Sequence, residues 1–390
     1  MDAPELSRRS RRALPLIAGA LAALVVASVI YLHPAFPALP KGQVAAPSPS
    51  PSLVQTQFSS RYSFVSATTG WALVVGPQSQ PSPSYVYRTT DGAKHWNLQL
   101  TTYPAYYPAL AGIKFFDSKR GLVWIGTGGL YRTSDAGAHW DPIPLPLIPL
   151  SEITFSDPAH GWFLASGPDP GSLRHFFATT DGGSTWTEFA WPKWATWSGK
   201  GGIGDLQFRL PAEGWLGADA SEPTVYSTFD GGASWQPHIL PQTAQAGPPA
   251  KGFAFNTNVS LLPGVGVFAT TDYSPDAGAY TSSDGGTTWR SVASPPGTTN
   301  FSDFVFQDSS HWWAMQFGEL WKSSDAGQSW KMVSHQLDGW VYRPQVLDAK
   351  HAWAELLAYP GIRDPGKGTG LAVTSDGGLH WTQVNAPRPS

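Results

Sequence analysis

The chain has 390 residues, no cysteine, 41 glycines, 36 prolines and 19 tryptophans, and only 14% of its residues are charged. The lack of cysteine excludes disulfides, zinc–thiolate sites, iron–sulfur clusters and a cysteine nucleophile. The glycine and proline content disfavours long helices, and a net charge of −3 gives no electrostatic reason to expect a nucleic-acid partner.

The first 57 residues carry signals of export. A basic stub at residues 1–12 precedes an uncharged apolar run at residues 13–32, which is long enough for one membrane crossing. The arginines of the stub place that end in the cytoplasm by the positive-inside rule. A cleaved signal peptide is the alternative, although the best small-residue site, Val44-Ala45-Ala46, lies far beyond the run. We therefore expect a single-pass cell-membrane anchor and an extracytoplasmic remainder.

Residues 33–57 are rich in proline, serine and alanine and include Pro47-Ser48-Pro49-Ser50-Pro51-Ser52. This composition is typical of an extended, semi-rigid linker. We expect it to hold a folded domain, residues 58–390, away from the membrane.

An eight-residue pattern, which we call the box, recurs seven times along residues 58–390. It begins with Thr or Ser, has Asp at position 3, Gly at position 5 in six of the seven copies, and ends in Trp. Seven copies at intervals of 41 to 54 residues indicate a repeat architecture. The box aspartates and tryptophans are Asp91, Asp135, Asp181, Asp230, Asp284, Asp325, Asp376, Trp96, Trp140, Trp186, Trp235, Trp289, Trp330 and Trp381.

A second element, which we call the Phe–Trp element, precedes each box. Its fullest copy runs from Phe155 to Trp162 and contains Asp157 and Gly161. Leu122 replaces the tryptophan in the second repeat, and in the fifth repeat we place the element at Val259 to Val267. The remaining copies are Phe64 to Trp71, Phe208 to Trp215, Phe306 to Trp313 and Val346 to Trp353.

Each repeat unit reads as four short strands. Alternating apolar residues bounded by turn residues indicate strands on both sides of the box and of the Phe–Trp element. Seven four-stranded units predict an all-β fold, a seven-bladed β-propeller, preceded by one N-terminal transmembrane helix. The ring closes either with a complete seventh blade or with an added strand from Leu53 to Phe58.

At all seven boxes the chain resembles the Asp-box (BNR) repeat family, over about residues 60 to 385. In layout it is most similar to the photosystem II assembly-factor-like and YVTN/BNR-like repeat proteins of that family. This resemblance implies a propeller that binds a protein partner without catalysing a reaction. Fold-level resemblance alone does not fix function.

The chemistry of the box favours a structural role. A turn aspartate accepts hydrogen bonds from nearby backbone N–H groups, a glycine permits positive φ, and a tryptophan buries its ring. Ala93 replaces the usual glycine of the first box, so we expect that turn to be distorted. The histidines of three boxes lie on different blades and predict no metal site, and no cofactor motif is present in the sequence.

Candidate binding residues lie in the irregular loops. In a four-stranded meander the boxes and the Phe–Trp turns share one face, and the remaining loops emerge on the opposite face. Aromatic residues concentrate in these loops and either pack inward or bind a protein or glycan. The candidates are Tyr103, Tyr106, Tyr107, Trp191, Trp194, Trp197 and Trp340. Trp124, Trp312 and Trp321 also lie outside both repeat patterns.

A carbohydrate-active hydrolase, sialidase-like or endoglucanase-like, is the alternative function. Glycosidases need two carboxylates about 5 to 9.5 Å apart. Phe208-Arg209-Leu210-Pro211 resembles a sialidase motif but occupies an ordinary Phe–Trp element. Acids outside the repeat positions include Asp169, Asp205, Asp219, Asp272, Asp276, Asp303, Asp338 and Asp364.

Overall fold

A computed structural model describes residues 59–76, 82–102, 111–126, 129–147, 149, 153–166, 174–189, 203–218, 222–241, 257–271, 278–296, 304–316, 318–335, 340–357 and 370–389. These residues belong to one compact unit, 56–390. They form 28 strands in seven sheets of four. Within these described ranges, no helix has the length and apolarity that a membrane crossing requires. The predicted stub, anchor and linker at residues 1–57 lie outside the described residues.

We call each sheet a blade and number the blades in chain order. Blade 1 consists of β1 (Ser59–Phe64), β2 (Gly70–Val75), β3 (Ser84–Thr89) and β4 (Asn97–Thr101). Blade 2 consists of β5 (Gly112–Phe115), β6 (Gly121–Ile125), β7 (Gly129–Thr133) and β8 (Asp141–Ile143). Blade 3 consists of β9 (Thr154–Phe155), β10 (Gly161–Ser166), β11 (Arg174–Thr179) and β12 (Thr187–Phe189). Blade 4 consists of β13 (Ile203–Phe208), β14 (Gly214–Ala218), β15 (Thr224–Thr228) and β16 (Gln236–Ile239).

The last three blades follow the same order. Blade 5 consists of β17 (Thr257–Leu261), β18 (Val267–Thr271), β19 (Gly278–Ser282) and β20 (Arg290–Ser291). Blade 6 consists of β21 (Phe304–Phe306), β22 (Trp312–Gln316), β23 (Glu319–Ser323) and β24 (Lys331–His335). Blade 7 consists of β25 (Trp340–Val346), β26 (Ala352–Leu357), β27 (Gly370–Thr374) and β28 (Thr382–Val384).

Every blade is an antiparallel meander of four consecutive strands. The first strands of neighbouring blades contact one another, as β1 does with β5 and with β25, so the first strand is the inner one. The predicted seven-bladed propeller of four-stranded blades is therefore confirmed. The turns between strands one and two and between strands three and four lie at one end of each meander, which we call the box face.

The core lies between the blades and is built from the two repeat patterns. Trp71 of blade 1 stacks on Phe115 of blade 2 with 3.5 Å between ring centroids. Trp140, the box tryptophan of blade 2, meets the same phenylalanine edge-on at 6.0 Å. The phenylalanine is thus held between a tryptophan of the preceding blade and one of its own. Because each contact spans two blades, no blade buries its faces alone.

Blade 7 joins blade 1 through the same contacts, at what we call the closing seam. Phe64 stacks on Trp353 at 4.0 Å. The Gln345 amide accepts a hydrogen bond from the Phe64 N–H at 3.1 Å and donates one to the Phe64 carbonyl at 3.2 Å. Blade 7 is complete with four strands of its own. The alternative closing strand at residues 53–58 lies outside the described residues.

The fifth Phe–Trp element begins two residues later than the sequence interpretation placed it. Leu261 pairs with Val267 in the register that Phe64 and Gly70 have in blade 1. Leu261 and Phe268 therefore occupy the phenylalanine and tryptophan positions. The placement at Val259 to Val267 was wrong because apolar residues alternate along the whole of β17 and offer two registers.

Three tryptophans outside the repeat patterns belong to the interblade core. Trp312 occupies the glycine position of its element and is fully buried, and Trp124 and Trp321 are 6% and 8% exposed. Packing between strands and blades thus explains the presence of these three tryptophans. Among the described residues they offer no exposed aromatic surface.

Candidate functional site

The box turn is a closed network of hydrogen bonds. In the second box the Asp135 Oδ1 atom accepts bonds from the His139 N–H and the Thr133 hydroxyl, both at 2.9 Å. The Thr133 Oγ1 atom in turn accepts the Gly137 N–H at 2.9 Å. The His139 Nδ1 atom lies 2.6 Å from Asp135 Oδ2. The carboxylate is fully occupied within its own turn.

The carboxylates of the boxes are held in the ionised form by these bonds. The backbone N–H of His139, and then its side chain, lower the pKa of Asp135 to about 2. The side chain and backbone of Ser329 lower the pKa of Asp325 to about 2. A carboxylate so stabilised as an anion is a poor proton donor near neutral pH. The same bonds that lower these pKa values hold the box aspartates within their turns.

The first box keeps the common turn geometry, contrary to the distortion expected from Ala93. Its φ of 70° lies in the left-handed region, where the other boxes have glycines such as Gly137 at 90°. The Ala93 N–H also makes the usual bond to the Thr89 hydroxyl, at 3.0 Å. The expectation was wrong because the hydrogen bonds impose the turn, and alanine accepts the local strain.

The blades are also linked by the indole groups of the Phe–Trp elements. The Trp71 Nε1 atom donates to the carbonyl of Ala136, and Trp215 Nε1 to that of Gly285, in each case the fourth residue of the next box. In blade 5 the tryptophan position of the Phe–Trp element is occupied by Phe268, which has no N–H group to donate. Arg290 instead donates to the corresponding carbonyl of Ala326, at 2.6 Å.

Turns of the Phe–Trp elements carry a second set of polar pairs on the box face. Asp157 pairs with His160 at 2.9 Å and Asp308 with His311 at 2.8 Å. The sequence predicted the aspartate of this turn but not its histidine partner. The signal was present as Asp-x-x-His, which recurs in blades 3, 6 and 7.

Blades 4 and 5 depart from this polar pattern. Leu210 stands where blades 2, 3, 6 and 7 have the turn aspartate, and Phe229 stands where the other boxes have Ser or Thr. In the turn of blade 5, Val265 stands where blade 6 has Ser310. These three side chains are 51%, 58% and 62% exposed. We call Leu210, Phe229 and Val265 the apolar patch; the sequence interpretation missed it, although residue types at aligned repeat positions would have shown it.

An open cleft of about 590 Å³ adjoins the apolar patch between blades 5 and 6. Its apolar walls include Leu262, Val265 and Trp289. Among the described lining residues, Arg290 is the one with a charged side chain. The described part of the cleft wall is thus apolar and hydroxyl-lined, with one positive group.

A buried acid that the sequence interpretation missed lies at the closing seam. The Glu355 side chain is 5% exposed, and its Oε1 atom accepts the Ser60 N–H at 3.1 Å. Burial raises its pKa to about 7, against the opposing effects of that hydrogen bond and of the Arg61 charge. The sequence interpretation did not consider Glu355 because it lies outside the box and the Phe–Trp element.

The predicted binding residues are not placed by the structure. Trp191, Trp194, Trp197, Tyr103, Tyr106 and Tyr107 lie outside the described residues. Trp340 begins β25, but its side chain is not among those described. Of the eight acids named as glycosidase candidates, Asp205 alone lies among the described residues.

Comparison with known proteins finds one partial relative in sequence and several structures of similar fold. No family model matches the sequence. The photosystem II assembly lipoprotein Ycf48 of Synechococcus sp. (strain CC9902) is 30% identical over 142 residues, which is 33% of this chain and 36% of that protein. The match therefore spans about a third of this curated relative.

Solved structures of similar fold include YCF48 bound to D1 peptide, with a TM-score of 0.55, 16% identity and coverage of 83% of this chain and 94% of that one. YCF48 from Cyanidioschyzon merolae gives a TM-score of 0.53, 16% identity and coverage of 83% and 95%. At these identities the similarity shows a shared propeller fold.

Proposed function

We propose that this protein is a non-enzymatic scaffold that binds a protein partner during assembly of a larger complex. The observation that carries the proposal is the sequence match to an assembly protein, together with a YCF48 structure of the same fold that holds a peptide. The box carboxylates support it, because they are engaged in hydrogen bonds of their own turns, as Asp135 is with Thr133 and His139.

The same proposal includes the anchor and the location of the domain. An uncharged run at residues 13–32 preceded by arginines would insert once into the cell membrane, with the N-terminus in the cytoplasm. The propeller would then work on the extracytoplasmic side at the end of the Pro/Ser-rich linker. We assign no photosynthetic partner, because that partner belongs to the relatives.

Aromatic residues of the loops opposite the box face are the proposed contacts of this scaffold. Tryptophan and tyrosine combine large apolar area with a polar group, which suits them to protein interfaces and to stacking on glycans. Trp191, Trp194 and Trp197 follow one another within seven residues between β12 and β13. A cell-surface glycan would use the same side chains.

Affinity purification of the full chain from membranes of the producing cells, after chemical cross-linking, tests the proposal. We expect one protein to co-purify in near-stoichiometric amount and to decrease at least tenfold with Trp194→Ala. The control is Leu98→Ala, which removes an exposed apolar side chain of β4. Recovery of only those proteins that an unrelated membrane-anchored bait also captures would contradict the scaffold, and recovery of a glycan alone would replace the protein partner.

A further inference from the structure

We propose that the apolar patch and the adjoining cleft dock an extended segment of another protein that carries apolar side chains next to an acidic residue. This inference rests on the proposed function and deepens it by naming a surface on the box face and the chemistry of its partner. The surface contains none of the aromatic residues proposed above as contacts. A scaffold with two faces could hold two components at once.

The repeat itself shows that the fold does not require the patch. Blade 6 has Asp308, Ser324 and Ser310 at the positions of Leu210, Phe229 and Val265, and the Asp308 carboxylate accepts the N–H of Ser310 at 2.8 Å. A polar residue at such a position satisfies backbone groups, whereas an exposed apolar side chain gains little from folding. Neighbouring exposed apolar side chains on a soluble domain mark an interaction site.

Contacts beneath the patch connect its members. Phe229 packs edge-on against Trp215, with 6.3 Å between ring centroids. The guanidinium of Arg209 lies 4.6 Å from the same indole ring and donates to the Gly266 carbonyl of blade 5. Leu210 follows Arg209 in the sequence, and Val265 precedes Gly266. The patch therefore sits on one packed unit that bridges blades 4 and 5, and it is pre-organised for binding.

The positive charge of Arg290 in the cleft indicates that the partner segment carries an acidic residue. Val265 belongs to both the patch and the cleft, so the two form one continuous surface. Arg290 keeps its positive charge in the cleft while two of its nitrogens bond to backbone carbonyls, which do not neutralise it. An acidic side chain that enters next to apolar residues would form a charge-assisted bond with this guanidinium. Serine and threonine hydroxyls of the lining, Ser283 and Ser309 among them, suit an extended backbone.

The described box face is largely polar in blades 7, 1 and 2, where Leu379 of the seventh box is the one exposed large apolar side chain. In blades 7, 1 and 2 the boxes present the exposed pairs His380–Asp376, His95–Asp91 and His139–Asp135. The remaining exposed large apolar side chains, Leu98, Ile239, Met332 and Leu379, are distributed over four blades. The apolar patch is thus a local feature of blades 4 and 5.

The test begins with a photo-crosslinking residue, benzoylphenylalanine, at position 229 of the full chain in the producing cells. Position 134, the same box position in blade 2, is the control. Mass spectrometry then identifies the crosslinked segment. We expect position 229 to capture a segment of another protein that contains apolar residues and an Asp or Glu, at least tenfold above position 134. Adducts to lipid, to residues 1–57 of this chain or to a second copy of it would overturn the proposal.

Binding of the synthesised segment to the purified full chain gives the second readout. The variant Leu210→Asp/Phe229→Ser/Val265→Ser copies blade 6 and is expected to melt within a few degrees of the wild type while its Kd rises at least tenfold. Arg290→Gln should weaken binding of the acidic segment and leave binding of its alanine-substituted form unchanged. The control Leu98→Thr/Ile239→Thr/Met332→Thr removes exposed apolar groups elsewhere and should bind as the wild type does.

The outcomes separate this inference from the proposed function. If the full chain captures a protein but the blade 6 copy binds its segment within twofold of the wild type, the inference fails and the scaffold stands. If no protein is captured from either position or by affinity purification, both fail.

Discussion

Phe64 and Trp353 stack across the closing seam with 4.0 Å between ring centroids and 8° between ring planes. The stack between Trp162 and Phe208, inside the chain, has 3.7 Å and 4°. The first and last blades are therefore joined by the contact that joins consecutive blades. Ring closure depends on side-chain packing at this seam.

Trp353→Ala should lower the free energy of unfolding by about 3–5 kcal/mol, as removal of a large buried aromatic side chain does. Trp162→Ala is the matched control, since it removes the same group from an internal seam. Urea titration followed by circular dichroism measures both. A loss well below about 1 kcal/mol for Trp353→Ala, with a large loss for Trp162→Ala, would show that the closing seam stabilises the fold less than the internal seams do.

Thr133→Val tests the hydroxyl that organises the box. Valine keeps the shape but leaves the buried Gly137 N–H without its acceptor, which costs about 1–3 kcal/mol. Thr101→Val, at an exposed position at the end of β4, is the control and should change stability by less than about 0.5 kcal/mol. Equal effects of the two substitutions in urea titrations would refute the structural role of the box hydroxyl.

Glu355 predicts a pH dependence near neutrality. Its pKa is about 7 in the folded state, against 4.5 for a glutamate in the unfolded chain, so between these pH values the folded state binds one more proton than the unfolded state does. Stability is then complete below about pH 4.5 and is lost as the pH rises through 7. The shift corresponds to about 3 kcal/mol. Glu355→Gln should flatten the profile of melting temperature from pH 5 to 8, and an unchanged slope would contradict this assignment.

The aspartates of the turns predict the opposite behaviour in acid. The pKa of Asp376 is lowered to about 2 by the backbone N–H and the side chain of His380, so its contribution is present above about pH 4 and is lost as the pH falls toward 2. Melting temperature should drop over that range, and less steeply in Asp376→Asn. Asp141→Asn, an exposed carboxylate on β8, is the control and should keep the wild-type profile.

The repeat pattern was enough to predict the propeller because each box and each Phe–Trp element fixes two strands and a turn by local chemistry. The fifth blade was misplaced because Val259 and Leu261 both fit an alternating strand, and only pairing with Val267 chooses between them. Local sequence reports periodicity, whereas register is set by contacts between strands.

The candidate site was harder to predict than the fold. The apolar patch joins Leu210, Phe229 and Val265, which come from three turns and two blades, and its exposure depends on how those turns pack. Glu355 was overlooked because its burial follows from the contact of β26 with blade 1, a pair of segments nearly 300 residues apart. Sequence can identify the residue that breaks a repeat, but not what that residue contacts.

The fifth box position has a positive φ, so exchanging glycine and alanine there tests whether the turn requires glycine. In Gly232→Ala the new Cβ would overlap Phe176 Cε1, at a φ of 100°. The left-handed backbone costs about 1–2 kcal/mol and the overpacking about 1–3 kcal/mol. We therefore expect the free energy of unfolding to fall by about 2–5 kcal/mol.

Ala93→Gly relieves the same backbone cost at a φ of 70°. It also loses a buried methyl group worth about 0.8 kcal/mol and raises the entropy of the unfolded chain, which costs about 0.5–1 kcal/mol. These terms nearly cancel, so its stability in urea should stay within about 1 kcal/mol of the wild type. A loss for Gly232→Ala no larger than that for Ala93→Gly would show that the turn tolerates a side chain at this position and that its glycines are not required by the fold.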